Sequence, residues 1–102
     1  MVKAPSWAAL LERGKAEEKR GRLGEAEAAY RRALAANPGF DSLERELARF
    51  LETRGRFAEA EAHLRRALER GWPRAEGEEA LARLRAKAVL PALIAAERIE
   101  EA

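Results

Sequence analysis

Displaced by 34 residues, the chain lies over itself. RGRLGEAEAAYRRAL at 20–34 covers RGRFAEAEAHLRRAL at 54–68, with eleven of fifteen positions identical and no gap. Leu23 falls on Phe57 and Tyr30 on Leu64, so two of the differences keep their apolar character. Self-similarity at a fixed period of this length marks a stacked architecture, in which one unit cannot cover its own apolar side and its neighbour covers it instead.

Each unit reads as helix, turn, helix. Ala, Leu, Glu, Arg and Lys dominate, all strong helix formers, while Thr occurs once and no stretch alternates with the period of a strand. The first helix starts near Ser6 and Trp7 and stops at Gly21; the second runs from about Gly24 to Ala36, ended by Asn37-Pro38-Gly39. In the second unit, Asp41-Ser42-Leu43-Glu44 reads as a capping box with Asp41 as N-cap. That helix runs to Arg54, and its partner covers about Ala58 to Arg70 before Gly71. Gly21, Gly55 and Gly71 stand where a helix end takes a left-handed residue. Ala26 and Ala33, repeated as Ala60 and Ala67, are the small positions that let paired helices approach. Leu23, Tyr30 and Leu34, with Phe57, Leu64 and Leu68, are the larger groups around them.

In these residues the chain resembles the tetratricopeptide repeat family, whose 34-residue pattern is W-x2-L-G-x2-Y, then A-x3-F, then A and P. In the first unit the matching residues are Leu10, Gly14, Ala26, Tyr30, Ala33 and Pro38; in the second, Leu47, Ala48, Leu51, Ala60, Leu64, Ala67 and, one place late, Pro73. The resemblance spans residues 7–74 without an insertion. It implies an all-α fold, a right-handed superhelical stack of antiparallel helix hairpins. The chain is then one domain, 1–102, with repeats at 7–40 and 41–74 and a degenerate third repeat or capping helices at 75–102. Three departures bear on packing. Arg13 and Glu17 replace apolar residues in the first helix, which predicts looser packing there, and Glu44 replaces the Trp of the pattern in the second unit. In the third unit Leu81, Ala82, Leu84 and Ala88 continue the pattern, and 77–88 reads as a solvating helix over the last hairpin. Pro91 predicts a break or kink near Leu90 and a last helix from 91 to about 100, an unbroken helix being the alternative.

Composition narrows the function. Twenty basic and 18 acidic residues leave a net charge of +2, with the signs interleaved; the pI of 9.4 therefore reflects near-cancellation rather than a nucleic-acid surface. There is no Cys, so no disulfide framework, Cys-based metal site or thiol nucleophile. The apolar run Trp7 to Leu11 is too short for a signal-peptide core, and nothing approaches a membrane span, so a cytoplasmic protein is the expectation. The absence of Gln, with abundant Arg and Glu, resembles a protein from a hot environment, although a GC-rich genome gives the same bias. His63, the single histidine, reads as a solvent-side or rim residue of its helix, and Trp7 and Trp72 read as packing residues. No catalytic, metal or cofactor constellation is found, and the expectation is a non-enzyme.

The resemblance implies a scaffold that binds a protein or peptide in the concave groove of the first helices. That groove would carry Lys15 and Lys19, Arg45 and Arg49, and Arg83 and Lys87, among Glu18, Glu52 and Glu79, and so would favour an acidic segment or a C-terminal carboxylate. The Lys and Asn of the chaperone-tail clamp found in some members are not matched, since Leu11, Lys15 and Glu46 occupy those places. Two alternatives compete. One is homodimerisation through Leu90, Leu93, Ile94 and Ile99. The other, less favoured because Glu is interleaved, is nucleic-acid association through a ridge of Arg31, Arg32, Arg65 and Arg66.

Overall fold

The computed structural model describes residues 6–101, with side chains described through Val89. Five helices follow one another: α1 (Trp7–Lys19), α2 (Leu23–Ala36), α3 (Asp41–Thr53), α4 (Phe57–Glu69) and α5 (Arg74–Glu101). No strand occurs among the described residues. The chain packs in sequence order, α1 on α2, α2 on α3, α3 on α4 and α4 on α5, so the two duplicate hairpins lie against each other.

The helix ends follow local chemistry. Ser6 caps α1, its Oγ accepting from the Ala9 amide at 3.1 Å. Gly21, Gly55 and Gly71 all carry positive φ, at 77°, 75° and 111°, just past helix C-termini. The capping box expected at Asp41 is not formed. Phe40 occupies the N-cap, and Asp41 is the first helical residue, its carboxylate 3.3 Å from Arg45 Nε. Glu44 cannot reach back because its side chain is buried against α4.

The break expected near Leu90 is likewise absent, for α5 runs unbroken from Arg74 through Pro91 to Glu101. Proline removes one backbone donor, and the hydrogen bonds on either side carry the helix past it. The third unit is therefore one long helix rather than a hairpin.

The core runs along the stack. Ala26, Ala33, Ala60 and Ala67 are buried, and around them lie Tyr30, Leu47, Phe50, Leu51, Leu64, Leu81 and Leu84. At the open end of the first hairpin Trp7 meets Phe40 edge-on at 5.0 Å, over Leu10, Ala33 and Leu43. The first helix is pinned by apolar contacts at Leu10 and Leu11 and at the Gly14 crossing. Its Glu17 is buried and paired with Arg20 at 3.1 Å and Arg22 at 3.6 Å, a substitution for the family's apolar residue that is neutralised locally.

The two hairpins solve one packing problem with different pairs. A Cβ built on Gly14 would stand 2.7 Å from Tyr30 Cε1, so the tyrosine ring needs a glycine opposite it. One repeat later the same two places hold Ala48 and Leu64, a larger and a smaller residue. Gly14→Ala is therefore expected to cost about 1–3 kcal/mol in the parent, because overpacking forces a ring held on both sides to move. In a Tyr30→Leu background the same substitution is expected to be neutral or to stabilise by up to about 1 kcal/mol, the helix preference of Ala over Gly. Urea unfolding of the four proteins in this cycle checks the pairing.

Candidate functional site

The first helices of the units, α1, α3 and α5, share one face, and ion pairs run across it: Arg49 of α3 reaches Glu18 of α1, and Lys87 of α5 reaches Glu52 of α3 at 2.7 Å. The second helices, α2 and α4, share the other face, where Arg31 pairs with Glu27 and Glu59, and Arg56 with Glu27 and Glu59.

On the first face, all six residues singled out from the sequence are placed, but they are not equivalent. Arg49 is the hub of a network. Its guanidinium donates to both oxygens of Glu18, at 2.8 and 3.1 Å, to Glu46 at 2.9 Å and to Tyr30 Oη at 3.3 Å. Tyr30 Oη in turn donates to Glu18 at 2.7 Å. The hydrogen bonds from Arg49, and then that from Tyr30, hold the Glu18 carboxyl below its ordinary range against the opposing effect of burial. Burial, and then the bond to Glu18, pushes the Tyr30 phenol well above its ordinary range. Arg49 thus staples the two repeats together, and much of its charge is spent inside the protein. Lys15 pairs with Glu12 at 3.7 Å, and Lys87 with Glu52. Arg45 bonds Ser42 Oγ at 3.0 Å and stacks its guanidinium over the Trp72 ring, 5.1 Å from the centroid. Only Lys19 and Arg83, both exposed, have no ion-pair partner among the described residues.

These side chains border two clefts that meet at Arg49. One, of about 340 Å³, is lined by Lys15, Glu18, Lys19, Glu46 and Arg49. The other, of about 480 Å³, lies between α3 and α5, with Arg45, Trp72, Arg83 and Lys87 on its walls. Trp72, read from the sequence as a packing residue, packs on the core and also lines this second cleft.

His63 differs from its expectation. It is buried, at 6% exposure, with Nδ1 2.6 Å from Oε2 of Glu44, itself 3% exposed. The sequence signal for this pair is a compensated difference between the repeats, because the same two places in the first unit hold Leu10 and Ala29. Neither residue of this pair belongs to a metal-binding group: among the described residues no cluster of His, Asp or Glu could hold a metal ion. On the α2–α4 face the arginine ridge is divided. Arg31 and Arg65 are tied to carboxylates, whereas Arg32 and Arg66 have no ion-pair partner among the described residues. The side chains of Leu90, Leu93, Ile94 and Ile99 lie outside the described residues. No helix of the described residues is long and apolar enough to cross a membrane.

Two outcomes follow from these contacts. His63→Ala alone strands the buried Glu44 carboxyl and is expected to cost about 3 kcal/mol, whereas His63→Ala with Glu44→Leu restores the first unit's apolar pair and is expected to lie within about 1 kcal/mol of the parent in denaturant unfolding. The Glu18 carboxyl, lowered when folded, contributes stability that is present above its ordinary value of 4.5 and is lost as pH falls through the folded value. Acid titration of the melting temperature should therefore show a fall below about pH 4.5, shallower in Glu18→Gln, which starts from a lower plateau.

A family model described as tetratricopeptide repeat matches the chain at residues 2–41 and at residues 11–76. A comparison with curated proteins finds no match.

Proposed function

The chain belongs to the tetratricopeptide repeat family, whose repeats are generally protein–protein interaction modules, and from that premise we propose that it is a non-catalytic scaffold gripping an extended, acidic protein segment along the α1–α3–α5 face. The observation that supports this most directly is the run of two clefts joined at Arg49 across three successive helices, with Lys19 near one end and Arg83 near the other.

A second reading, self-association through Leu90, Leu93, Ile94 and Ile99, has support in α5 itself. At 28 residues α5 is about twice the length of each hairpin helix, and Val89, at 50% exposure, is the start of the apolar stretch that follows. Nucleic-acid association has weaker support, since half of its arginine ridge is neutralised.

Affinity capture from lysate with Lys19→Glu plus Arg83→Glu as the control separates these readings. Both residues are exposed and make no ion pair among the described residues, so the double variant should keep the parent's melting temperature and lose the captured protein. Arg49→Glu is a poor control here, because it breaks the staple between repeats. If the captured protein survives the double variant, the groove is not the binding surface. Val89→Lys, followed by sedimentation, addresses self-association: a parent dimer that becomes a monomer would support it, and a monomeric parent would remove it.

A further inference from the structure

The two junctions between successive first helices are built from equivalent positions but bridged by different ion pairs, Arg49 with Glu18 at the first and Lys87 with Glu52 at the second. At the first, Arg49 meets three acceptors: Glu18, Tyr30 Oη and Glu46. One repeat later Arg83 takes the place of Arg49, and each acceptor is missing or diverted. Tyr30 is replaced by Leu64 and Glu46 by Ala80, while Glu52, the counterpart of Glu18, is held by Lys87 at 2.7 Å. Leu64, Ala80, Arg83 and Lys87 all line the cleft of about 480 Å³. The space that acceptors fill at the first junction is open at the second.

The donors left there are specific. Trp72 Nε1 is buried without a hydrogen-bond partner, and so is Arg45 Nε. Asp41 Oδ2 lies 3.3 Å from that nitrogen, close enough for Coulomb attraction but off the N–H direction. Buried donors without acceptors are costly and uncommon in folded proteins. Four cations, Arg45, Arg49, Arg83 and Lys87, border the cleft against one carboxylate, Glu52, which is already bonded.

We propose that the cleft between α3 and α5 is a subsite for an acidic side chain of the bound segment, its carboxylate taking, beside the Trp72 indole, the hydrogen bonds of Arg83 that no described residue takes. Arg49 lines both this cleft and the cleft beside α1. The carboxylate assigned to the subsite is that of an Asp or Glu side chain. The apolar wall of Leu64, Ala80 and Ala86 suits a small aliphatic neighbour. This subsite rests on the groove reading above.

The Trp72 indole N–H reports on the subsite directly. In nitrogen-labelled protein it gives one of two indole cross-peaks, assigned with Trp7→Phe. The probe is the blocked peptide acetyl-Ala-Glu-Ala-amide, titrated to millimolar concentration against its Gln counterpart. The Trp72 peak should move saturably with the Glu peptide. The Gln peptide should bind about tenfold more weakly, the loss of one charge-assisted hydrogen bond. Ala80→Glu, which returns the counterpart of Glu46 and occupies Arg83 from within, should abolish the shift while leaving the melting temperature equal or higher. Equal shifts with the two peptides, no shift with either, or an undiminished shift in Ala80→Glu overturns the subsite. When the subsite fails, the capture experiment decides the groove separately. Loss of the captured protein in Lys19→Glu plus Arg83→Glu leaves the groove standing without the subsite, and its retention removes both.

Discussion

The meshing of large side chains on one helix with small ones on its partner is what the rest of this structure depends on. Ala26, Ala33, Ala60 and Ala67 present no side chain beyond a methyl, so the paired helices come close enough for Tyr30, Phe50, Leu47 and Leu51 to fill the space between them. At ~25 cal/mol for each square ångström of apolar surface removed from water, that filling is the main stabilising contribution available to a short helical chain. It cannot be completed within one hairpin. The contact of α2 on α3 completes it, and the same contact brings the first helices of successive units side by side on one face. The candidate binding surface is thus a by-product of burying the core.

Period and punctuation were legible because they are local. Ser6 as cap, glycines with positive φ after α1, α3 and α4, and apolar residues spaced by about two turns each depend on a few neighbouring residues, and α1 to α4 lie within a residue or two of where these signals put them. Apart from the break expected at Pro91, a local signal that α5 overrides, what was misread depends on partners distant in sequence. Asp41 followed by Glu44 has the form of a capping box, but the buried His63, nineteen residues on, holds Glu44 in the core. His63, taken alone, has the look of a surface residue. Read with Glu44, and against Leu10 and Ala29, it is one half of an exchange. Gly14 with Tyr30, against Ala48 with Leu64, is a second exchange of the same kind. Within a repeat protein, each copy serves as a reference for the other, and paired differences disclose contacts that neither residue discloses alone.

The six basic residues of the groove illustrate the opposite limit. Register along the helices placed them on one face, as periodicity allows. Which of them keep a charge available to a ligand is set by carboxylates on other helices. Arg49 is consumed by Glu18 and Glu46, and Lys87 by Glu52, so a surface that counts as basic by composition is largely paired. The electrostatic field outside such pairs falls off within a Debye length of ~8 Å at physiological salt, leaving Lys19 and Arg83 to set the local potential.

The outward positions of α5 differ in chemistry from their counterparts in α1 and α3. A further second helix would lie against the places equivalent to Gly14 and Leu51, which in α5 are Ala82 and Arg85, both exposed; Arg85 bonds Glu61 at 2.8 Å instead of facing a core. Leu81 and Leu84, on the side toward α4, remain buried. Through Val89, α5 thus covers the preceding hairpin with one side and exposes the other. A helix packed on one side also escapes the constraint that ties helices packed on both sides. Arg49 must hold its neighbour in place, whereas Arg83 has none of the acceptors that Arg49 uses. In a stack of near-identical parts, the junction at the solvating end is where a charge can stay unpaired at least cost to the fold, and that is where a partner's carboxylate has the most to gain.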